Sequence, residues 1–269
     1  MQALNTDQEK KTRSRIVIGL DTSLAARETL TLAARLAQAI HAPLRGIFIT
    51  DENLLRLAEL PFACEVAMSG AIRSLNPSLM SRSLKVQAEA ARAQLARIAV
   101  EAHVEWSFEQ ERGRLFSRLA EAASADDTLI LRQPAHPSRE LARAMRTATH
   151  EVRADVLLLS RGHEGVFSPK PLMPIVAAID PGNTSGEAAF LFASDFARRT
   201  HMSCRRIAAR GWGLNEVSRR AREIGASLLI LNASWFSTDD EAAHLSQLSG
   251  CPVLLLGSER SAVSAGSSK

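Results

Sequence analysis

The chain has 269 residues, 46% of them apolar and 23% charged, with a net charge of +4. That size and composition suit one large or two ordinary globular domains. No apolar run approaches the roughly 20 residues of a membrane span, residues 1–14 are polar with no leader core, and the arginines are mixed with glutamates instead of forming a basic stripe.

We therefore expect a cytoplasmic protein with neither a membrane nor a nucleic acid as partner. Cys64, Cys204 and Cys251 form no paired spacing, and the histidines show no ligand pattern, so a zinc site or disulfide framework is not expected.

Residues 1–14 read as a disordered arm. Residues 15–23 then run Arg-Ile-Val-Ile-Gly-Leu-Asp-Thr-Ser. A continuous apolar run ended by polar turn residues is the pattern of a strand buried on both faces of a parallel sheet. Asp21 closes the run where open α/β sheets bind ligands, and equally where a side chain caps the next helix. Leu32, Leu36 and Ile40 predict a helix over 24–41, capped by Thr22 or Ser23. Pro43 closes that helix, and a second strand covers 44–50.

Segment 51–77 is longer than an ordinary strand–helix connection, the habit of a lid or binding loop. A short amphipathic helix ending at Pro61 opens it. Leu54, Leu55, Leu57, Leu60 and Phe62 make it an apolar flap. We expect these side chains to fold over the carboxyl ends of the first sheet, beside Asp21. If exposed, they would form a docking surface for a protein partner.

Leu84, Ala88, Ala91, Leu95, Ile98 and Ala102 step by four and three, predicting a helix over 79–103. A strand over 104–110, a turn at Gly113, a helix over 115–124 and a strand over 128–131 follow. A proline-containing loop, a helix over 138–150 and a strand over 155–160 complete a first unit, 15–161. Residues 162–173, rich in Gly and Pro, read as a linker.

A second apolar run, Pro-Ile-Val-Ala-Ala-Ile-Asp-Pro-Gly over 174–182, ends in Asp180. Helices are predicted over 185–201, 214–224 and 239–249, and strands over 203–209, 227–231 and 252–256. This second unit, 174–257, lacks one strand and one helix of the first. Residues 258–269 read as a disordered tail.

Strands alternating with amphipathic helices predict an α/β protein of two tandem doubly wound parallel-sheet units, the second shortened. We expect five strands in one sheet and four in another.

The stretch 15–50, the Arg112-Gly113 turn and residues 127–131 resemble the universal stress protein family, which has an adenine nucleotide alpha hydrolase-like fold. In the second unit 175–180, Arg210-Gly211, 228–231 and 251–256 repeat the resemblance. It implies a strand order of 3-2-1-4-5. It also implies adenine near the first-strand aspartate, matched here by Asp21 and Asp180. The family's phosphates are gripped by a loop of the form G-x2-G-x9-G-[ST] after the fourth strand, where glycine admits backbone amides to the anion.

Both loops depart from that form. No glycine lies between Gly113 and Gly162, or between Gly225 and Gly250. Prolines remove donors and side chains block approach, so both phosphate cradles read as lost. Gly113, Arg132 and Arg139 join Asp21 and Asp180 as residues of a degenerate site. Arg132, His136, Arg139 and Arg143 either hold an anion by side chains or form a solvated helix face.

No catalytic constellation emerges. The expected function is a non-enzymatic stress-response or regulatory protein without cofactor. The alternative is a tandem universal stress protein that binds ATP or AMP and hydrolyses ATP weakly.

The closing strands, 156–159 and 253–256, are apolar without alternation. A fifth strand is an edge in the implied order, and a long apolar edge must be covered. We expect the two to lie antiparallel at the centre, making an intrachain pseudo-dimer that leaves higher oligomers open.

Overall fold

The computed structural model describes residues 15–21, 23–66, 70, 72–134, 138–160, 174–238 and 240–257. The arm 1–14, the linker 162–173, the tail 258–269, Thr22, His136 and the side chains of Leu54 and Leu55 lie outside the described residues.

The first unit opens with β1 (Ile16–Leu20), α1 (Leu24–Ile40) and β2 (Leu44–Asp51). Then come α2 (Glu52–Ala58), β3 (Cys64–Val66), β4 (Ile72–Ser74), α3 (Pro77–Glu101) and β5 (Trp106–Gly113). It closes with α4 (Leu115–Ala122), β6 (Thr128–Arg132), α5 (Arg139–Arg146) and β7 (Asp155–Leu159). The second unit runs β8 (Ile175–Asp180), α6 (Thr184–Thr200), β9 (Ser203–Ala208), α7 (Leu214–Glu223), β10 (Ala226–Asn232), α8 (Glu241–Ser249) and β11 (Val253–Leu256).

Two local features differ from expectation. The flap carries a short hairpin, β3 against β4, where a loop was expected. Its three-residue strands are too short to leave an alternating signal. The helix expected over 138–150 widens into a π-helical turn, Thr147–Val152, inside which the Thr149 hydroxyl donates to the Met145 carbonyl at 2.9 Å.

One sheet runs through the protein, in the order β5-β2-β1-β6-β7-β11-β10-β8-β9. The first five strands have the 3-2-1-4-5 order and the last four the same order without its third strand. Every neighbouring pair is parallel except β7 and β11, which pair antiparallel through Val156↔Leu255, Leu157↔Leu254 and Leu158↔Val253. That central pairing follows the expectation for the closing strands. It also merges the two sheets, so the expectation of one sheet per unit fails.

Leu157, Leu158, Leu254 and Leu255 are all buried. Complete burial of such a side chain stabilises by about 2 kcal/mol. Polar groups cross the same seam. The Gly257 N–H donates to Asp155 Oδ1 at 3.1 Å. The Ser160 hydroxyl donates to Gln133 Oε1 at 2.9 Å and shares a 2.7 Å hydrogen bond with Ser246 of α8. A Cβ on Gly257 would collide with the Arg153 carbonyl, so the strands close only on glycine there.

Candidate functional site

In this fold the carboxyl ends of β1 and β6 mark the point where strand order reverses, the usual ligand crevice of an open α/β sheet. Asp21 stands there, exposed, just beyond β1. Its Oδ1 accepts the Ser23 N–H at 2.6 Å. Ser23 in turn caps α1, its hydroxyl accepting the Ala26 N–H at 3.1 Å. Arg132, half-buried, ends the adjacent β6, two residues past the Ile18↔Ile130 pair. Asp21 and Arg132 therefore share the crevice end of neighbouring strands.

The other site candidates scatter. Arg139 is exposed on the first turn of α5, whose cap, Ser138, accepts the Leu141 N–H. Arg143 is exposed one turn further on. Gly113 ends β5 opposite Asp51, on the outer side of β2. Its φ of 140° and the Arg118 side chain packed against it explain the glycine, because a Cβ would meet Arg118 Nε. Arg118 Nε donates to the Arg112 carbonyl at 2.9 Å.

Asp180 differs from Asp21 in kind. Helices α1 and α6 are both 17 residues long. They start on Ser23 and Asn183 and stop on His41 and His201, each histidine left-handed with φ of 56° and 55°. The strands agree: Ile16 pairs with Leu44 as Val176 pairs with Cys204. Counted from these anchors, Asp180 is the counterpart of Leu20, and Asp21 is the counterpart of Pro181. The sequence match of the two aspartates is thus one residue out of structural register. In a strand one residue turns a side chain to the opposite face.

Accordingly Asp180 is buried, beneath α6. It accepts the Gly182 N–H at 2.8 Å and Arg206 Nε at 2.7 Å. Arg206 also reaches Glu187 at 2.7 Å and lies over the Phe190 ring, 5.0 Å from its centroid. Burial opposes ionisation of Asp180, but the Gly182 N–H and the Arg206 guanidinium outweigh it and hold its pKa below the ordinary carboxylate value. Gly186, on the first turn of α6, leaves the carboxylate its room, since a Cβ there would collide with Asp180 Oδ1.

Sequence reasoning missed Arg206 and Gly186. The signal available was a basic residue in a short strand and a glycine in a helix start, neither distinctive alone.

After β10, Asn232 Oδ1 accepts the Ser234 N–H at 2.9 Å. The Ser237 and Thr238 N–H groups both donate to the Glu241 carboxylate, at 2.6 and 3.2 Å. An apolar cavity of about 240 Å3 lies elsewhere, between α1 and α6 over the central seam. Leu36, Ile40, Phe192 and Phe196 line it, with Thr128 and Asp155 at the starts of β6 and β7. It faces the opposite ends of those strands from Asp21.

The flap does not close over the crevice as expected. α2 packs against α3 and β5. Leu57, Leu60, Phe62, Val66 and Ile72 are exposed. Among the described side chains of this segment only Ala58 and Ala63 are buried.

No protein-family model and no curated protein matches the sequence. Solved structures do match in shape. A universal stress protein from Archaeoglobus fulgidus DSM 4304 aligns over 91% of this chain and 97% of its own, at 10% identity and a TM-score of 0.59. A functionally unknown protein from Pseudomonas aeruginosa PAO1 aligns over 91% and 93%, at 13% identity and a TM-score of 0.58. The chain has the fold of the universal stress proteins. Among the described residues no helix is long and apolar enough to cross a membrane.

Proposed function

We propose that this is a universal-stress-protein-like regulatory protein of the cytoplasm, non-enzymatic, acting through protein contacts without a bound nucleotide. The observation that carries this reading is the state of the two loops after β6 and β10. Neither contains glycine. After β10 the exposed amides of Ser237 and Thr238 already hold the carboxylate of Glu241. An anion-binding loop needs free N–H groups at its concave face, and here an internal anion takes them. The occupied amides of the second loop and the missing glycines of both support a lost phosphate grip. The exposed apolar side chains Phe62, Val66 and Ile72 of the flap supply one surface for a partner.

A second reading has support from one placement. Asp21 and Arg132 stand together at the switch point, where a nucleoside would enter. In that reading the first unit alone binds ATP or AMP. Calorimetric titration of the full chain with ATP, ADP and AMP separates the two. We expect no dissociation constant tighter than about 100 µM, roughly 5.5 kcal/mol. Low-micromolar binding abolished by Asp21→Ala would establish the second reading instead.

A further inference from the structure

We infer that the outer edge of β9 is a docking site for an extended, acidic segment of a partner protein, which pairs with β9 as β5 pairs with β2. This goes beyond the regulatory reading and holds whether or not the chain binds a nucleotide.

The first unit supplies the template. β2 is covered along its whole length by β5 in parallel register, from Leu44↔Trp106 to Asp51↔Gly113. Across that pair Arg45 holds Glu109 by two contacts, Nε to Oε1 at 3.0 Å and Nη2 to Oε2 at 2.6 Å. Its third nitrogen, Nη1, donates to the Ala122 carbonyl at 2.7 Å. This forked geometry is a strong form of ion pair.

The second unit keeps one half of the device. Cys204 occupies the place of Leu44, so Arg205 occupies the place of Arg45. β9 ends the sheet, and no described strand pairs with its outer side. Arg205 is exposed and makes no hydrogen bond or ion pair among the described residues. The arginine is present, and the carboxylate it would grip is missing together with its strand. On the other face of the strand, against Arg206, Phe190 stands where Leu30 stands in the first unit, but Leu30 is fully covered while Phe190 is half-buried. Leu191 is 53% exposed. An unpaired row of backbone groups, an unmatched arginine and an apolar flank are together the features of strand addition.

A second copy of the chain does not fit this edge. Two-fold pairing of one strand with itself is antiparallel. Centred on Arg205 or Arg206, it would set that arginine directly opposite its own copy, and like charges directly opposed destabilise. A segment with Glu or Asp in the register of Glu109 fits instead.

The probe is the chain's own β5 sequence as a fluorescent peptide of residues 105–113, added to the full-length protein. We expect saturable binding in the range of about 10 to 500 µM. Arg205→Glu should weaken it about tenfold, and a peptide with Lys in place of Glu109 should restore binding to that variant. On binding, backbone amides of residues 204–208 should gain protection from hydrogen exchange. The inference is overturned by no saturable binding up to about 1 mM, or by equal affinity for Arg205→Glu. It is also overturned if those amides are protected in the free protein, since a segment of the chain then covers the edge. A concentration-dependent dimer that Arg205→Glu dissolves would assign the edge to a second copy and overturn it too.

Discussion

In the first repeat Leu20 lies over Gly46, under Leu95 of α3. In the second repeat the same two strand positions hold Asp180 and Arg206, joined by an ion pair, and the counterpart of α3 is missing. The two helices that follow, α1 and α6, are alike in length and caps. The difference teaches how a fold loses a helix. Removing α3 from a floor of leucine would leave apolar surface to water, at about 25 cal/mol per Å2. Replacing the floor by a carboxylate and a guanidinium makes the uncovered surface polar. Arg206 adds its own apolar cover by lying on Phe190.

The comparison breaks most visibly at the centre, which both repeats share. Leu158→Lys and Leu255→Lys each bury a charge in a strand with no partner for it. We expect each to cost more than about 4 kcal/mol and to unfold both repeats in one urea transition. A variant that unfolds one repeat and spares the other would show that they are independent.

Gly186→Ala tests the floor of the second repeat. In an exposed helix this change stabilises by about 1 kcal/mol. Here the new methyl meets Asp180, so we expect destabilisation of about 2 kcal/mol. The same change made in an Asp180→Ala background should recover part of that loss, the Pro181 ring still pressing on the methyl. The counterpart position in the first repeat is already Ala26.

Asp180→Asn should cost about 1–2 kcal/mol at pH 7, because it weakens a buried bond to Arg206. Asp21→Asn should cost under about 0.5 kcal/mol, because Asp21 is exposed. The pH dependence has a definite sign. The folded pKa of Asp180 lies below its unfolded value of about 3.9. Its contribution is therefore full above about pH 4 and is lost as pH falls through the folded pKa. Chemical denaturation as a function of pH should show the wild-type advantage over Asp180→Asn shrinking in acid. An advantage that does not shrink as the pH falls below about 4 would remove the ion pair from the explanation.

The smallest effect is chemical. Cys64 is exposed in the flap, Cys204 is half-buried in β9 with its thiol pKa raised by burial, and burial pushes Cys251 up to about 11. Titration with a thiol reagent at pH 8 should find Cys64 fast, Cys204 slower and Cys251 silent until the protein unfolds.

Much of this architecture was legible in the sequence. Apolar runs bounded by Gly, Pro and Asp located the strands of the main sheet, and the unalternating leucines of 156–159 and 253–256 pointed to the centre. The register of β8 was not legible. Its run Ile-Val-Ala-Ala-Ile is buried on both faces, so no alternation says which face Asp180 takes. The two aspartates match in sequence, and the helix caps place them one residue out of structural register. The Asp180–Arg206 pair joins residues on different strands, and nothing local announces it. The flap hairpin escaped because three residues per strand carry no period. At the crevice, the position of Asp21 was readable from its place after β1, whereas the placement of Gly113 two strands away depended on strand order.

The central claim is that two repeats form one body through β7 and β11. Native-state hydrogen exchange of the full chain tests it most directly. We expect the amides of residues 156–158 and 253–255 to exchange only by global unfolding, with the same opening free energy as the core amides of β1 and β8. Fast local exchange across 156–158 and 253–255, with separate opening free energies for the two repeats, would contradict it.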